Sequence, residues 1–153
     1  MTTIDKTDVK ILQVLSQDAR QSVERVAEQV GRSATPVRRR IRRLEDEGII
    51  RRYTLDVDMK ACGFGLQLFV FIKLASRDRP TIADFEDRVR RLPEVTSCNL
   101  VTGAHDYILE VRMTDMETYN NFLRSTLSEL PGVFGIETSV VIGPVKDEVA
   151  LPY

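Results

Sequence analysis

The sequence contains very few cysteines and histidines, the residues that bind zinc and form redox centres. Among its 153 residues there are two cysteines, one histidine and no tryptophan. Cys62 and Cys98 lie far apart, and neither belongs to a Cys-x-x-Cys pair. Because a zinc site made of cysteine and histidine needs three or four such ligands, we predict no metal site and no cofactor. Isolated cysteines of this kind are most often small buried residues.

Long apolar segments are also missing. The longest strongly apolar run, Leu66 to Leu74, contains Gln67 and Lys73, whereas a membrane helix needs about 18 or more apolar residues. The first six residues lack the basic and then apolar pattern of a signal peptide. We therefore expect a cytoplasmic protein with no membrane partner.

Enzyme signatures are equally scarce. The sequence shows no nucleophile–base pair, no glycine-rich phosphate loop and no cluster of metal ligands. A small metabolic enzyme is therefore a weak alternative, and we predict that the protein is not an enzyme. With 42% hydrophobic and 29% charged residues, the composition is that of a globular chain.

The formal net charge of −1 hides two oppositely charged halves. Residues 1–55 contain 12 lysines or arginines and 8 acidic residues, a net charge of +4, whereas residues 56–153 carry −5. Between Arg32 and Arg52, 8 arginines stand against 3 acidic residues. This asymmetry indicates a basic binding module joined to a module with another purpose, although a solvated basic helix face would give the same pattern.

The first 55 residues show the apolar periodicity of three helices. We predict a helix over residues 6–16 after an Asp5 cap, a second from residue 23 to Gly31, and a third from Ser33 to Gly48. Residues 49–55 are typical of a short strand or an extended arm. Two short helices joined tightly, the second rich in arginine, form a helix-turn-helix pattern.

The third helix has an arginine-rich outward face. When its apolar stripe is turned inward, the residues that point most nearly outward are Thr35, Arg39, Arg42 and Asp46. Arg38 and Arg43 lie on the flanks. Arginines on such a face bind guanine in a major groove or hold phosphates, and the alternative is a helical bundle with a solvated arginine face. The predicted contacts with double-stranded DNA are Ser33, Thr35, Pro36, Arg38, Arg39, Arg42, Arg43, Arg51 and Arg52.

Two further features of this helix bear on the prediction. Ser33 and the neighbouring backbone N–H groups lie at the helix N-terminus, which is a natural phosphate site. Arg40 lies closer to the buried stripe, where it is expected either to pair with an acid or to reach a phosphate.

The rest of the chain alternates between strand and helix in the order β-α-β-β-α-β. Together with the first part, this predicts an α+β protein with an N-terminal winged-type helix-turn-helix domain of three helices and a C-terminal ferredoxin-like domain. The first strand is apolar on both sides, so we expect its uncovered face to pair with a second subunit. The predicted bounds are 1–55 for the first domain, 56–65 for a linker and 66–153 for the second, with strands over 66–75, 95–102, 107–114 and 133–145 and helices over 80–92 and 114–130.

Short motifs follow one another in order along the N-terminal half. Residues 4–12 read Ile-Asp-Lys-Thr-Asp-Val-Lys-Ile-Leu, and Asp-Ala-Arg follows at 18–20. Ser-Ala-Thr-Pro-Val at 33–37 precedes Arg-Ile-Arg-Arg-Leu-Glu at 40–45 and Gly-Ile-Ile at 48–50.

Two more motifs follow in the C-terminal half, Val-Thr-Gly-Ala-His-Asp-Tyr at 101–107 and Leu-Pro-Gly-Val at 130–133. Taken in order, these motifs resemble the Lrp/AsnC family of bacterial and archaeal regulators, also called feast/famine regulators. The resemblance covers nearly the whole chain. It implies a DNA-binding transcription regulator that forms dimers through its C-terminal sheets and assembles further into tetramers or octamers.

The same resemblance implies a small-molecule effector, usually an amino acid, bound between subunits near the Gly-x-x-Asp turn and the last strand. Gly103 would let the backbone approach the effector closely, and Asp106 would accept its ammonium group. Ordinary turn chemistry in a hairpin is the alternative for both residues. The effector contacts implied by position are Thr102, Gly103, Ala104, His105, Asp106, Ser139, Val140 and Val141.

The sequence thus predicts a sequence-specific regulator whose assembly or DNA affinity changes with its effector. The remaining alternative is an architectural protein that wraps DNA with little sequence choice and needs no effector. Both would use the same arginine face, and binding to random and selected DNA separates them.

Overall fold

The chain divides into two units with separate apolar cores. The computed structural model describes residues 3–146, so the ends of both predicted domains, residues 1–2 and 147–153, lie outside the described residues. Within the described residues, one unit contains the chain up to Asp56 together with Val145 and Lys146, and the other spans Val57–Pro144. Since each has a core of its own, each has what a domain needs in order to fold.

Three helices form the N-terminal unit, as the periodicity of its apolar residues predicts. They span Lys6–Gln17 (α1), Val23–Val30 (α2) and Ala34–Asp46 (α3). The tight connection between α2 and α3 confirms the helix-turn-helix prediction. The buried residues recur at helical spacing and are Ile11, Val26, Ala27, Val30, Val37, Ile41 and Leu44.

Capping explains where these helices begin and end. The Asp5 carboxylate accepts the N–H groups of Thr7 and Asp8. The Asp8 side chain accepts the N–H of Asp5 in return, which completes a capping box. Gly31 ends α2 with a φ of 66°, a left-handed conformation that favours glycine. Ser33 stands at the N-cap of α3 as predicted, but its hydroxyl makes no capping hydrogen bond.

The segment after α3 is an extended arm. Ile49 and Ile50 pack against the core of the unit, and the N–H of Ile50 donates to the carbonyl of Leu44 at 2.9 Å. Residues 51–58 then form no helix or strand. Of the two alternatives for residues 49–55, the structure has the arm.

The C-terminal unit contains a four-stranded antiparallel sheet with the strand order β2-β3-β1-β4. The element order βαββαβ confirms the ferredoxin-like prediction. The strands are Leu66–Leu74 (β1), Val95–Leu100 (β2), Tyr107–Met113 (β3) and Val133–Val140 (β4), and the helices are Arg79–Val89 (α4) and Met116–Ser125 (α5).

The buried core lies on one face of this sheet. The even-numbered residues of β1 from Leu68 to Leu74 are buried and pack with Phe85 of α4 and Phe122 of α5. Phe69 and Phe71 lie on the opposite face, and Phe69 is 37% exposed. Neither α4 nor α5 covers that face, because both pack on the buried side of the sheet; it is called the open face below.

The second helix of this unit is shorter than predicted. It was expected over residues 114–130 but spans Met116–Ser125, because Asp115 caps it by accepting the N–H of Thr118 at 2.7 Å. It ends because Thr126 has φ −125° and ψ −61°, outside the helical region. A short 3₁₀ turn follows and still buries Leu127.

Two smaller expectations are also wrong. The last strand ends at Val140 rather than Val145, because beyond the N–H of Val141 this segment finds no further ladder partner in the described chain. Cys62 and Cys98 are both exposed rather than buried. Cys62 lies in a turn before β1, and Cys98 lies on β2, an edge strand.

Candidate functional site

The outward face of α3 is a concave surface rich in arginine. Thr35, Arg39 and Arg42 are exposed there, whereas Val37 and Leu44 of the same helix are fully buried. The structure thus puts these side chains where helical periodicity places them. The concavity has a volume of about 560 Å³ and is lined by Thr35, Arg38, Arg39, Arg42, Arg43, Asp46 and Glu47.

A buried aspartate on α1 binds two of the five arginines of α3. Asp8 is fully buried. Its carboxylate oxygens accept Arg40 Nη1 at 2.8 Å and Arg43 Nη2 at 2.5 Å. Arg40 also donates to Asp5 at 2.7 Å. Of the two alternatives for Arg40, the structure therefore has the acidic partner, and both arginines hold α1 against α3.

These carboxylates are ionised even though one of them is buried. Burial would raise the pKa of Asp8, but hydrogen bonds from Arg40, the backbone N–H of Asp5 and Arg43 outweigh it and lower the pKa below its ordinary value of 3.8. The backbone N–H of Asp8 and the Arg40 guanidinium lower the pKa of Asp5 as well. The cluster therefore contains two carboxylates and two guanidinium groups at neutral pH.

Arg39 and Arg42 differ from these arginines because neither makes an ion pair with any residue in the described range 3–146. Arg38 pairs with Glu24 of α2 at 2.7 Å, but the two side chains are 48% and 63% exposed. Exposed pairs of this kind are weak and screened by salt. The side chains of Arg39 and Arg42 are both exposed and line the concave surface, so their guanidinium groups are available to a ligand there.

The remaining residues of the predicted DNA face lie around this centre. The Ser33 hydroxyl makes no capping bond, and the first N–H groups of α3 have no intrahelical acceptor. Pro36 is half-buried in the first turn of α3. Arg51 and Arg52 are exposed on the arm and form no ion pair within residues 3–146.

Asp106 lies at one end of the sheet of the other unit and is nearly buried, at 5% exposed. One carboxylate oxygen accepts the N–H of Leu74 at 2.8 Å, and the other lies 2.7 Å from Arg77 Nε. The N–H of Leu74 is the main cause that lowers the pKa of Asp106. Both oxygens are therefore engaged by donors of the protein itself, so an ammonium group could bind Asp106 only in competition with them.

The turn before Asp106 exposes Thr102, Gly103 and Ala104. Gly103 has a φ of 128°, a conformation that side chains rarely adopt. The His105 ring packs on Phe71 with ring centroids 5.2 Å apart, and its Nε2 lies 3.2 Å from a Glu137 oxygen.

The last-strand residues predicted to face this turn do not reach it within one protomer. Val140 pairs with Leu68 near the beginning of β1, and Val141 lies beyond that pair. The N–H of Asp106 donates instead to Ile72, near the end of β1. Leu68 and Ile72 are four positions apart on the strand, which corresponds to about 13 Å at about 3.3 Å per residue. Two separate sets result, residues 102–106 at one end of the sheet and Ser139, Val140 and Val141 further along it.

The open face of the sheet has an apolar middle and a polar border. Phe69 and Phe71 form the middle on β1. Gln67 and Arg112 both donate to Glu110, at 2.8 and 3.0 Å, so these polar groups satisfy one another within the protomer. Within the apolar middle, Phe71 packs on the His105 ring, whereas Phe69 is 37% exposed.

Sequence reasoning did not identify three residues of these sites. Asp8 was assigned to the opening motif with no role, and its burial depends on arginines 32 and 35 residues away. Arg77 and Glu137 reach the turn only through the strand register. A charged residue on an otherwise inward helix position is a signal that would have pointed to Asp8, whereas a single sequence does not reveal the register.

Metal-binding clusters and membrane-spanning helices are both absent from residues 3–146. No group of three or more histidine, cysteine or acidic side chains is arranged to hold a metal ion there. No helix in that part of the chain has both the length and the apolar character needed to cross a membrane.

Two family models match the chain. The Lrp/AsnC ligand binding domain matches residues 67–151, and a winged helix-turn-helix DNA-binding model matches residues 4–51. The Bkd operon transcriptional regulator of Pseudomonas aeruginosa is 38% identical over 152 residues, 99% of either chain. The leucine-responsive regulatory protein of Escherichia coli is 39% identical over 144 residues, 94% of this chain and 87% of that protein.

Solved structures are similar over both units. A transcriptional regulator of Neisseria meningitidis in complex with L-methionine has a TM-score of 0.93 and 37% identity, over 98% of this chain and 97% of that one. An AsnC family transcriptional regulator of Agrobacterium tumefaciens has a TM-score of 0.90 and 30% identity, over 97% and 96%.

Proposed function

The chain belongs to the Lrp/AsnC family of transcription regulators, and from that premise we propose how its parts act. It is a DNA-binding transcription regulator with a helix-turn-helix domain and a ligand-binding domain. We propose that residues 1–55 bind DNA, that residues 56–65 link the domains, and that residues 66–153 bind the effector and a second copy of the chain.

Arg39 and Arg42 read bases in the major groove in this proposal, with Thr35 beside them. The observation that carries it is that both guanidinium groups lack an ion-pair partner among residues 3–146 and line the concave surface of α3. Arginine binds guanine through two parallel hydrogen bonds, which requires free N–H donors. The proposed phosphate contacts are Ser33, Pro36, Arg38, Arg43, Arg51 and Arg52.

Binding to selected and random DNA tests this proposal. Arg39→Ala and Arg42→Ala should each weaken binding to a sequence selected by the wild type by about 10- to 100-fold, with a smaller loss on random DNA. Lys10→Gln removes an exposed charge on α1 that forms no ion pair within residues 3–146, and it is the matched control. Affinities are measured by fluorescence anisotropy at two fixed salt concentrations.

Two outcomes would count against base reading. Equal losses on selected and random DNA would assign Arg39 and Arg42 to phosphates and favour the architectural DNA-wrapping alternative. Unchanged binding by both variants would show that the recognition face lies elsewhere.

The effector in this proposal is an amino acid bound at the end of the sheet formed by residues 102–106. Supporting observations are the match to a ligand-binding domain and the L-methionine complex of a relative that is 37% identical. Exposed backbone at Gly103 gives a small ligand close access to the chain. A thermal-shift screen of the twenty amino acids tests this, since a ligand that binds only the folded state raises the unfolding temperature.

A second copy of the chain covers the open face of the sheet, and these dimers assemble further into tetramers or octamers. The supporting observation is the apolar middle of that face, Phe69 and Phe71. Phe69→Glu should convert the dimer to a monomer in light scattering at micromolar concentration. Met116→Glu is the control, because Met116 is 53% exposed on the helical side. A monomeric wild type would contradict the proposal.

Effector binding then changes the affinity for DNA. A coupling of about 1–3 kcal/mol is typical, which corresponds to about 5- to 150-fold in affinity. Titrating the selected DNA with and without the amino acid found in the screen measures it. An unchanged affinity, together with an unchanged assembly state in light scattering, would contradict an effector-modulated mechanism.

A further inference from the structure

The Arg77–Asp106 pair holds an exposed guanidinium group in one orientation. Arg77 follows β1, and its side chain is 68% exposed, whereas that of Asp106 is 7% exposed. The Asp106 carboxylate is itself fixed, because its other oxygen accepts the N–H of Leu74 at 2.8 Å. A buried, fixed anion thus anchors a solvent-facing cation at the same end of the sheet as the proposed effector turn.

The anchor uses only the inner nitrogen of the guanidinium. Arg77 Nε lies 2.7 Å from the Asp106 oxygen. Neither Nη group has a hydrogen-bond partner among residues 3–146. A guanidinium can bind a carboxylate through two parallel hydrogen bonds from its outer Nη pair, and this edge is the one that remains available.

The neighbouring turn adds further donors. The N–H of Val101 donates to the carbonyl of Asp106, and that of Asp106 donates to Ile72. Residues 102–105 lie between Val101 and Asp106 in the chain. Their backbone N–H groups donate no hydrogen bond to any other residue of the described range. An anion at the Nη edge of Arg77 would therefore lie close to backbone groups that are still free to donate.

Charges of both signs at this turn favour a zwitterion over a phosphate. The carboxylates of Asp106 and Glu137 lie at the turn, the latter 3.2 Å from His105 Nε2. They oppose a multiply charged anion. A free amino acid presents a single negative charge to the guanidinium and a positive charge that Glu137, with a side chain 67% exposed, attracts.

We propose that Arg77 binds the α-carboxylate of the amino-acid effector through its two Nη groups, and that Asp106 is the positioning residue that orients it. This rests on the proposed amino-acid effector. It assigns Asp106 a different role from the ammonium contact implied by family resemblance, because both oxygens of Asp106 already have donors. It also adds to the site a residue that lies outside the turn and the last strand.

Calorimetric titration of the full-length protein with L-methionine and L-methioninamide tests the proposal. The amide keeps the ammonium group and the side chain of L-methionine but has no carboxylate. Where another amino acid gives the largest shift in the screen, that amino acid and its amide replace this pair. The wild type should bind the amino acid at least about 10-fold more tightly than the amide.

Arg77→Gln should remove this discrimination. Its affinity for L-methionine should fall by about 10- to 100-fold, while its affinity for the amide changes by less than about threefold. Arg77→Lys should behave like Arg77→Gln, because one ammonium group cannot reproduce the anchored Nη edge. Arg79→Gln is the matched control, since Arg79 is an exposed arginine two positions away with no ion pair in the described chain.

Different results would overturn different statements. If the wild type binds none of the twenty amino acids, the amino-acid effector fails and the role of Arg77 fails with it. If the wild type binds but Arg77→Gln binds equally well, only the role of Arg77 fails. Equal losses of affinity for the amino acid and its amide in Arg77→Gln would show that Arg77 merely supports the structure. If only Lys73→Gln loses the discrimination between the two ligands, Lys73 rather than Arg77 binds the carboxylate.

Discussion

A buried aspartate organises arginines in each of the two units, and the two aspartates do so differently. In the N-terminal unit, Asp8 is fully buried and binds one guanidinium group with each oxygen, Arg40 with one and Arg43 with the other. In the C-terminal unit, Asp106 binds one backbone N–H and only the inner nitrogen of Arg77.

The guanidinium nitrogen that contacts the aspartate determines which N–H donors of the arginine remain available to a ligand. Arg40 and Arg43 donate through Nη atoms to Asp8, so the outer edges that bind bases or phosphates are partly occupied. Arg77 approaches Asp106 through Nε, and its side chain remains 68% exposed. The same pair of residue types fastens two helices together in one unit and, in our proposal, presents a ligand-binding group in the other.

The largest expected loss of stability follows from removing Asp8, which binds Arg40 and Arg43 and so holds α1 against α3. Asp8→Ala should lower the free energy of unfolding of the N-terminal unit by about 3 kcal/mol, because it removes the shared partner of two guanidinium groups that pack α1 on α3. Urea unfolding followed by circular dichroism measures the change. Glu28→Ala on exposed α2 surface is the control. A loss no larger than that of the control would show that Asp8 does not fasten the helices.

A smaller loss of stability is expected when the ion pair between Asp106 and Arg77 is removed. Asp106→Asn keeps an acceptor for the N–H of Leu74 and loses only the ion pair with Arg77, whose side chain is largely exposed. The free energy of unfolding of the C-terminal unit should fall by about 1 kcal/mol, measured in the same way. A loss as large as that of Asp8→Ala would mean that both aspartates are fasteners, and the contrast between the units would disappear.

Acid should weaken both pairs, to a lesser degree than substitution. The pKa values of Asp8 and Asp106 are lowered in the folded protein from an ordinary value of 3.8. Their contribution to stability is therefore complete above about pH 4 and is lost as the pH falls through the lowered pKa values. Unfolding temperatures between pH 7 and pH 3 measure this. The fall below pH 4 should be shallower in Asp8→Asn than in the wild type, and an identical fall would contradict the ionised cluster.

The smallest effect is expected for Arg38, which is bound by neither Asp8 nor Asp106. Glu24→Gln releases Arg38 from an exposed ion pair, which should leave stability unchanged within error. If Arg38 contacts a phosphate, DNA binding at low salt should become up to about threefold tighter in this variant, and the gain should vanish at high salt. Weaker DNA binding would show that Glu24 positions Arg38 for the contact.

Much of the fold follows from apolar periodicity alone. Helices α1 to α3 and the order of the C-terminal elements were predicted, because each depends on spacing within a short stretch. The outward position of Arg39 and Arg42 has the same origin, since one buried stripe fixes the rest of a helix.

What the sequence did not reveal depends on contacts between distant residues. The end of α5 depends on the backbone angles at Thr126, and no glycine or proline at that position indicates it in the sequence. Asp8 becomes a buried anion only when α3 brings Arg40 and Arg43 to it. The separation of residues 102–106 from Ser139 follows from the register of β4 on β1, and Glu137 reaches the turn through that same register. Arg77 reaches Asp106 because β3 pairs with β1 so that Tyr107 lies opposite Ile72, near the end of β1.

A dimer formed through the open face, as proposed above, would make promoter occupancy depend on the concentration of the protein. If a second copy covers Phe69 and Phe71, the fraction of chain that is dimeric depends on the concentration of protomers, by mass action. While most copies are monomeric, doubling synthesis roughly quadruples the number of dimers. Promoter occupancy then responds to expression level more than proportionally, so changes in the gene's own transcription act as a regulatory input alongside the ligand.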